Sequence, residues 1–163
     1  MPDISKIKRS QFVTYLDTTP TASAPTWKLL GTGITEYAIS YNPQINTEKW
    51  IIHDNATSDL ESNQKQGDVS QKMYKGDPCF EYANGLRDKV GADVQTHVLD
   101  IDTYDTTIAN TYKAKMSEAI LAVTNYGGDS ATIEYSIYYN GDPVEGTVTI
   151  ADGVPTFTPS VSA

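Results

Sequence analysis

Apolar and polar residues alternate along this chain at every second position, in short runs that stop at glycine, asparagine, aspartate or proline. Successive side chains of a strand point to opposite faces, so such runs are half-buried strands. Phe12-Val13-Thr14-Tyr15-Leu16 reads as the first. A Thr/Ser/Ala/Pro connector from Thr18 to Pro25 leads to Trp27 through Leu30, which stops at Gly31-Thr32-Gly33. Glu36 to Tyr41 sets Tyr37, Ile39 and Tyr41 on one face. Asn42 to Asn46 has turn chemistry, so Glu48 to His53 is predicted to complete a hairpin.

From Asp54 to Gly76 apolar residues nearly vanish, and Val69, Met73 and Tyr74 are the anchors that remain. An unstructured connection of that length inside a compact domain is functional or disordered. It reads as a long polar loop, about 54–76, packing on another subunit. Its candidate contacts are Asp59, Glu61, Lys65, Gln66, Asp68, Val69, Met73 and Tyr74.

One helix stands out, over about 78–90. Asp77 can cap its first free amide, and Pro78 loses nothing at the first helical position. Phe80, Ala83, Leu86 or Arg87, and Val90 recur at helical spacing, and Gly91 sits where a left-handed residue ends a helix. Gly85 suggests close packing on a sheet.

Beyond it, Val94 to Asp102 alternates, with His97, Leu99 and Ile101 facing one way and Val98, Asp100 and Asp102 the other. Thr103 to Thr111 reads as a loop, Tyr112 to Asn125 as a strand, and Ala131 to Tyr139 as another. Asn140-Gly141-Asp142-Pro143 is the next predicted turn, before a last hairpin of Thr147–Ile150 and Pro155–Thr158. At least eight strands and one flanking helix imply a mainly β fold. Two packed antiparallel sheets, as a sandwich or partial barrel, are expected in one domain spanning residues 1–163, with an N-terminal arm at 1–10.

The residues supply little chemistry. Twelve Lys and Arg against 21 Asp and Glu leave a net charge of −9, which argues against a protein that wraps nucleic acid by neutralising phosphates. With Cys79 as the one cysteine, no intramolecular disulfide and no cysteine-based zinc site can form. His53 and His97 lie on different predicted strands without ligand spacing. Cys79 begins the helix beside Phe80 and reads as a packing residue, since a thiol nucleophile needs a base nearby. Asp100 and Asp102 look like any polar sheet face, and Gly31-Thr32-Gly33 is too short for a phosphate loop. No catalytic residue, metal site or cofactor is expected, and the chain reads as non-enzymatic. Lys6, Lys8 and Arg9 form a basic cluster without interleaved aromatics, read as a solvated or inter-subunit terminus. No apolar run follows them, so neither a signal peptide nor a membrane-spanning segment is expected, and synthesis in a cytoplasm follows. Eleven tyrosines against three phenylalanines suit half-buried strands and interfaces.

The order of features carries a resemblance. Trp27-Lys28-Leu29-Leu30-Gly31 comes early, and then Lys49-Trp50-Ile51-Ile52. A polar stretch leads to Tyr74-Lys75-Gly76-Asp77-Pro78-Cys79-Phe80-Glu81-Tyr82. Tyr126-Gly127-Gly128, Gly146-Thr147-Val148-Thr149-Ile150 and Phe157-Thr158-Pro159 close the chain. The set resembles the major tail tube proteins of long-tailed bacteriophages over nearly the whole chain. Contractile-tail tubes and the type VI secretion tube protein look similar, so the subclass stays open. The resemblance implies hexameric rings whose inner sheets join into a continuous barrel and stack into a hollow tube. That tube is the conduit for DNA ejection, assembled in a bacterial host's cytoplasm and located in the virion tail. Partners would be further copies, the tape measure protein, and the tail tip and tail terminator proteins, with DNA only in passage and no membrane insertion. An acidic lumen would repel phosphate, and its candidates are Asp100, Asp102, Glu36 and Glu118. Two other readings stand beside this one. A β-sandwich carbohydrate- or ligand-binding module would use Tyr135, Tyr138 and Tyr139, and a small hydrolase would use carboxylates.

Overall fold

Long alternating runs build long strands. The structure is a computed structural model describing residues 3–160. Its strands are β1 (Phe12–Asp17), β2 (Trp27–Leu29), β3 (Ile39–Ser40), β4 (Pro43–Glu48), β5 (Thr57–Asn63), β6 (Gln66–Lys72), β7 (Gln95–Ile108), β8 (Thr111–Gly127), β9 (Thr132–Ala151) and β10 (Val154–Pro159), with helix α1 (Pro78–Gly85) between β6 and β7. The protein is mainly β, with two antiparallel sheets and a single α-helix among the described residues. Eight strands run in the order β2-β1-β7-β8-β9-β6-β3, with β10 also on β9, and β4 pairs with β5 alone. The large sheet is not a closed barrel.

Both of its faces carry a core. On one, Leu16, Val98, Leu121, Tyr135 and Ile137 pack against Cys79, Phe80 and Ala83 of α1. On the other, Tyr15, Trp27, Leu99, Ile101, Ala114 and Val148 form a second cluster, with Phe157 at its edge. The sheet edges are blunt, since β2 and β3 are very short and β10 carries Pro155 and Pro159. Helix α1 starts as its sequence implies, with the Asp77 carboxylate accepting from the Phe80 amide at 3.0 Å. It ends at Gly85 rather than near residue 90, and a Cβ on Gly85 would meet nothing within 4 Å, so that glycine marks no close packing.

Five stretches differ from expectation. Of Glu36 to Tyr41, only Ile39 and Ser40 are strand. The predicted turn at 42–46 lies mostly in β4, and the predicted strand at 48–53 is the tip of a hairpin. The predicted polar loop at 54–76 contains β5 and β6. In β6 the inward positions are Gly67, Val69 and Gln71, so the alternation is hidden behind a small and a polar residue. Tyr37 lies so close to Gly67 that a Cβ there would overlap its ring. The Gln71 amide is fully buried but satisfied: Nε2 donates to the Thr32 carbonyl and to Asp77 Oδ2, both at 2.8 Å, and Oε1 accepts from the Tyr135 hydroxyl at 2.9 Å.

The other two lie further on. Thr103 to Ile108 continues β7 through irregular register instead of looping out. Asn140 to Pro143 is an irregularity within β9 rather than a turn. Strand β8 runs unbroken opposite both halves of β9, so the extra residues, with Gly141 at a φ of 66°, are absorbed as a bulge.

Candidate assembly surfaces

The β4–β5 ribbon stands apart from the domain. Every residue of both strands is exposed. Its ladder runs from Pro43 opposite Asn63 to Glu48 opposite Thr57, and it places Ile45 across from Leu60. At the tip, the Trp50 and His53 rings stack with centroids 5.6 Å apart. Ile51 is 103% exposed and Ile52 76%. Trp50, Ile45 and Leu60 are exposed as well, so the ribbon offers five large apolar side chains and no core to cover them. Asp59 and Glu61 lie here on β5 and are exposed.

The remaining contact candidates of that segment sit elsewhere. Val69 is core, Gln66 and Asp68 belong to the large sheet, and Met73 packs against the helix-side cluster. Tyr74 is exposed. Lys65 turns inward at the ribbon's root. Its ammonium lies 5.6 Å from the Tyr41 ring and 5.2 Å from the Tyr139 ring, joining the root to β9. Burial lowers its pKa.

Behind Lys65 a polar relay enters the domain. The Tyr37 and Tyr139 hydroxyls are 2.8 Å apart, and Tyr139 donates to Asp100 Oδ1 at 3.4 Å. Thr14 Oγ1 donates to the same oxygen at 2.8 Å. Burial raises the Asp100 pKa, while these two hydrogen bonds and nearby Lys65 pull it down. Asp100 is therefore half-buried and engaged by two hydroxyl donors.

Next to the relay lies a cleft of about 460 Å³, lined by Arg9, Phe12, Glu36, Tyr41, Asp100 and Asp102 among others. It brings together three of the four lumen candidates with a residue of the N-terminal arm. Glu118 lies outside this cleft: it pairs with His97 in the ladder and lines a separate hollow by Thr21 and Asn140. Arg9 donates to the Phe12 carbonyl at 2.7 Å and to the Tyr37 carbonyl at 3.3 Å. Lys6 and Lys8 are exposed. The part of the arm at residues 1–2 lies outside the described residues, as do residues 161–163.

The two histidines are occupied separately, His53 on Trp50 and His97 at 3.2 Å from Asp17. Asp17 Oδ1 also accepts from the amides of Thr19 and Thr26, closing the connector after β1. Among the described residues, no three His, Cys, Asp or Glu side chains converge. Cys79 is fully buried, its thiol pushed up to about 12 by burial. Tyr135 and Tyr139 are core residues and Tyr138 is half-buried, so the three form no surface platform. Among the described residues no helix is long and apolar enough to cross a membrane.

No protein-family model matches the chain, and no curated protein matches it.

Proposed function

We propose that this chain is a non-enzymatic structural subunit that assembles with copies of itself into rings stacked as a hollow tail tube, the conduit for DNA ejection. The observation that carries the reading is the β4–β5 ribbon, which displays Trp50, Ile51, Ile52, Ile45 and Leu60 to solvent without intrachain cover. Covering one such side chain fully is worth about 1.5–3 kcal/mol, so a surface built this way favours association. Blunted sheet edges direct that association to the ribbon rather than to open-ended strand pairing. The net charge of −9 suits a conduit that must not hold the phosphates passing through it. The tube reading adds hexameric rings, a virion location, and tape measure, tail tip and terminator proteins as partners. It rests on the order of motifs from Trp27 to Pro159.

Sedimentation velocity of the wild type and of a Trp50→Ser/Ile51→Ser/Ile52→Ser variant tests the carrying observation. The wild type is expected to form larger species with rising concentration, and the variant to remain monomeric at an unchanged melting temperature. Equal assembly by both would overturn the role of the ribbon. The binding-module reading has lost the tyrosine surface it required, with Tyr135 and Tyr139 inside.

A further inference from the structure

Building on the self-association argued above, we propose that the Asp3–Lys8 arm of one copy docks in the acidic cleft between β1, β7 and the Glu36–Tyr41 segment of a second copy. The arm is suited to leave its own domain. All its residues from Asp3 to Ser10 are exposed, Ile4 completely so. Its exit is fixed at the cleft's rim, where the Lys8 amide donates to Gln11 Oε1 at 2.7 Å and Arg9 donates to the Phe12 carbonyl. Extended chain covers about 3.3 Å per residue, so six residues reach about 20 Å, enough to bridge touching neighbours.

The cleft matches the arm in charge and shape. Its volume of about 460 Å³ falls within the ~300–1,000 Å³ of ligand-binding clefts. Phe12 and Ile39 give it an apolar lining, while Glu36 before β3 and Asp102 on β7 supply carboxylates. Arg9 is the one basic residue lining it, and its guanidinium is already spent on two carbonyls. In an extended arm, Lys6 and Lys8 share one face and Ile7 the other. Ile7 then enters the apolar lining while both lysines stay at the acidic rim.

Fluorescence anisotropy of a labelled peptide spanning Asp3–Arg9, titrated with the full chain at low salt, tests the pairing without requiring assembly. Saturable binding is expected. It should weaken at least tenfold in the folded Glu36→Gln/Asp102→Asn variant, and also when the peptide carries Lys6→Glu and Lys8→Glu. Raising the salt should weaken it too, since exposed charge pairs are screened. Absence of binding, or binding indifferent to both charge changes, overturns the proposal. A chain that assembles but ignores the peptide refutes the docking alone. A chain that binds the peptide but never self-associates in sedimentation refutes the assembly reading instead.

Discussion

The hydroxyls of Tyr37 and Tyr139 meet at 2.8 Å inside the domain, joining the segment before the ribbon to the long strand β9. Tyr139 also touches Asp100 and lies under the Lys65 ammonium. One hydrogen-bonded cluster thus ties together β1, β7, β9 and the ribbon's root. The cluster lies at the base of the ribbon, while the ribbon's apolar tip is exposed.

The Asp100 carboxyl gives the cluster a defined pH response. Burial raises its pKa above the ordinary aspartate range, against the pull of Thr14 and Tyr139. The native state therefore holds the proton where the unfolded chain has released it. Stability falls as pH rises between the unfolded and folded values, and the cost is complete above the folded one. Asp100→Asn keeps an acceptor for both hydroxyls and removes that cost. The variant should melt above the wild type at pH 7, with the advantage shrinking towards the unfolded aspartate pKa of about 3.9. A variant that melts lower at pH 7 would mean that the ionised carboxylate is needed by its donors.

Gly67 is required by Tyr37. A Cβ at this position overlaps the tyrosine ring, and backbone on both sides is held by pairing with β9 and β3. Overpacking of this kind costs about 1–3 kcal/mol, so Gly67→Ala should lower the denaturation midpoint accordingly. In a Tyr37→Ala background the same change should cost much less, and denaturant titration of the four proteins measures that coupling. Additive losses would place the strain elsewhere.

The cap of α1 is also a buried junction. Asp77 accepts from Phe80 and from Gln71, and Gln71 in turn accepts from Tyr135. Asp77→Ala removes a cap worth about 0.5–2 kcal/mol and strips a partner from a buried amide, so a loss at the upper end is expected in thermal unfolding. The thiol of Cys79, fully buried and pushed up to about 12, reports the same region. Its labelling by a thiol reagent should be slow in the native wild type and faster in the variant.

Much of this architecture was legible in the residues. The alternation in Phe12–Leu16, Val94–Asp102 and Ala131–Tyr139 marked central strands, and Asp77-Pro78 marked the helix start. The errors cluster where packing does not follow hydrophobicity. Strand β6 buries a glycine and a glutamine, because Tyr37 fills the space over one and three hydrogen bonds satisfy the other. Strands β4 and β5 bury nothing, so no periodicity could reveal them. Only Ile45 and Leu60, opposite each other, hint at the pairing. The turn chemistry at Asn140-Gly141 was real, but the partner strand β8 turned it into a bulge. The cleft joining Arg9, Glu36, Asp100 and Asp102 needed the fold itself, as it draws on three separate segments.

Negative-stain electron microscopy of the purified, concentrated protein, beside the Trp50→Ser/Ile51→Ser/Ile52→Ser variant, addresses self-assembly most directly. Rings or hollow tubes in the wild type, and dispersed particles in the variant, are the predicted result. Identical dispersed monomers in both, at every concentration, would contradict it.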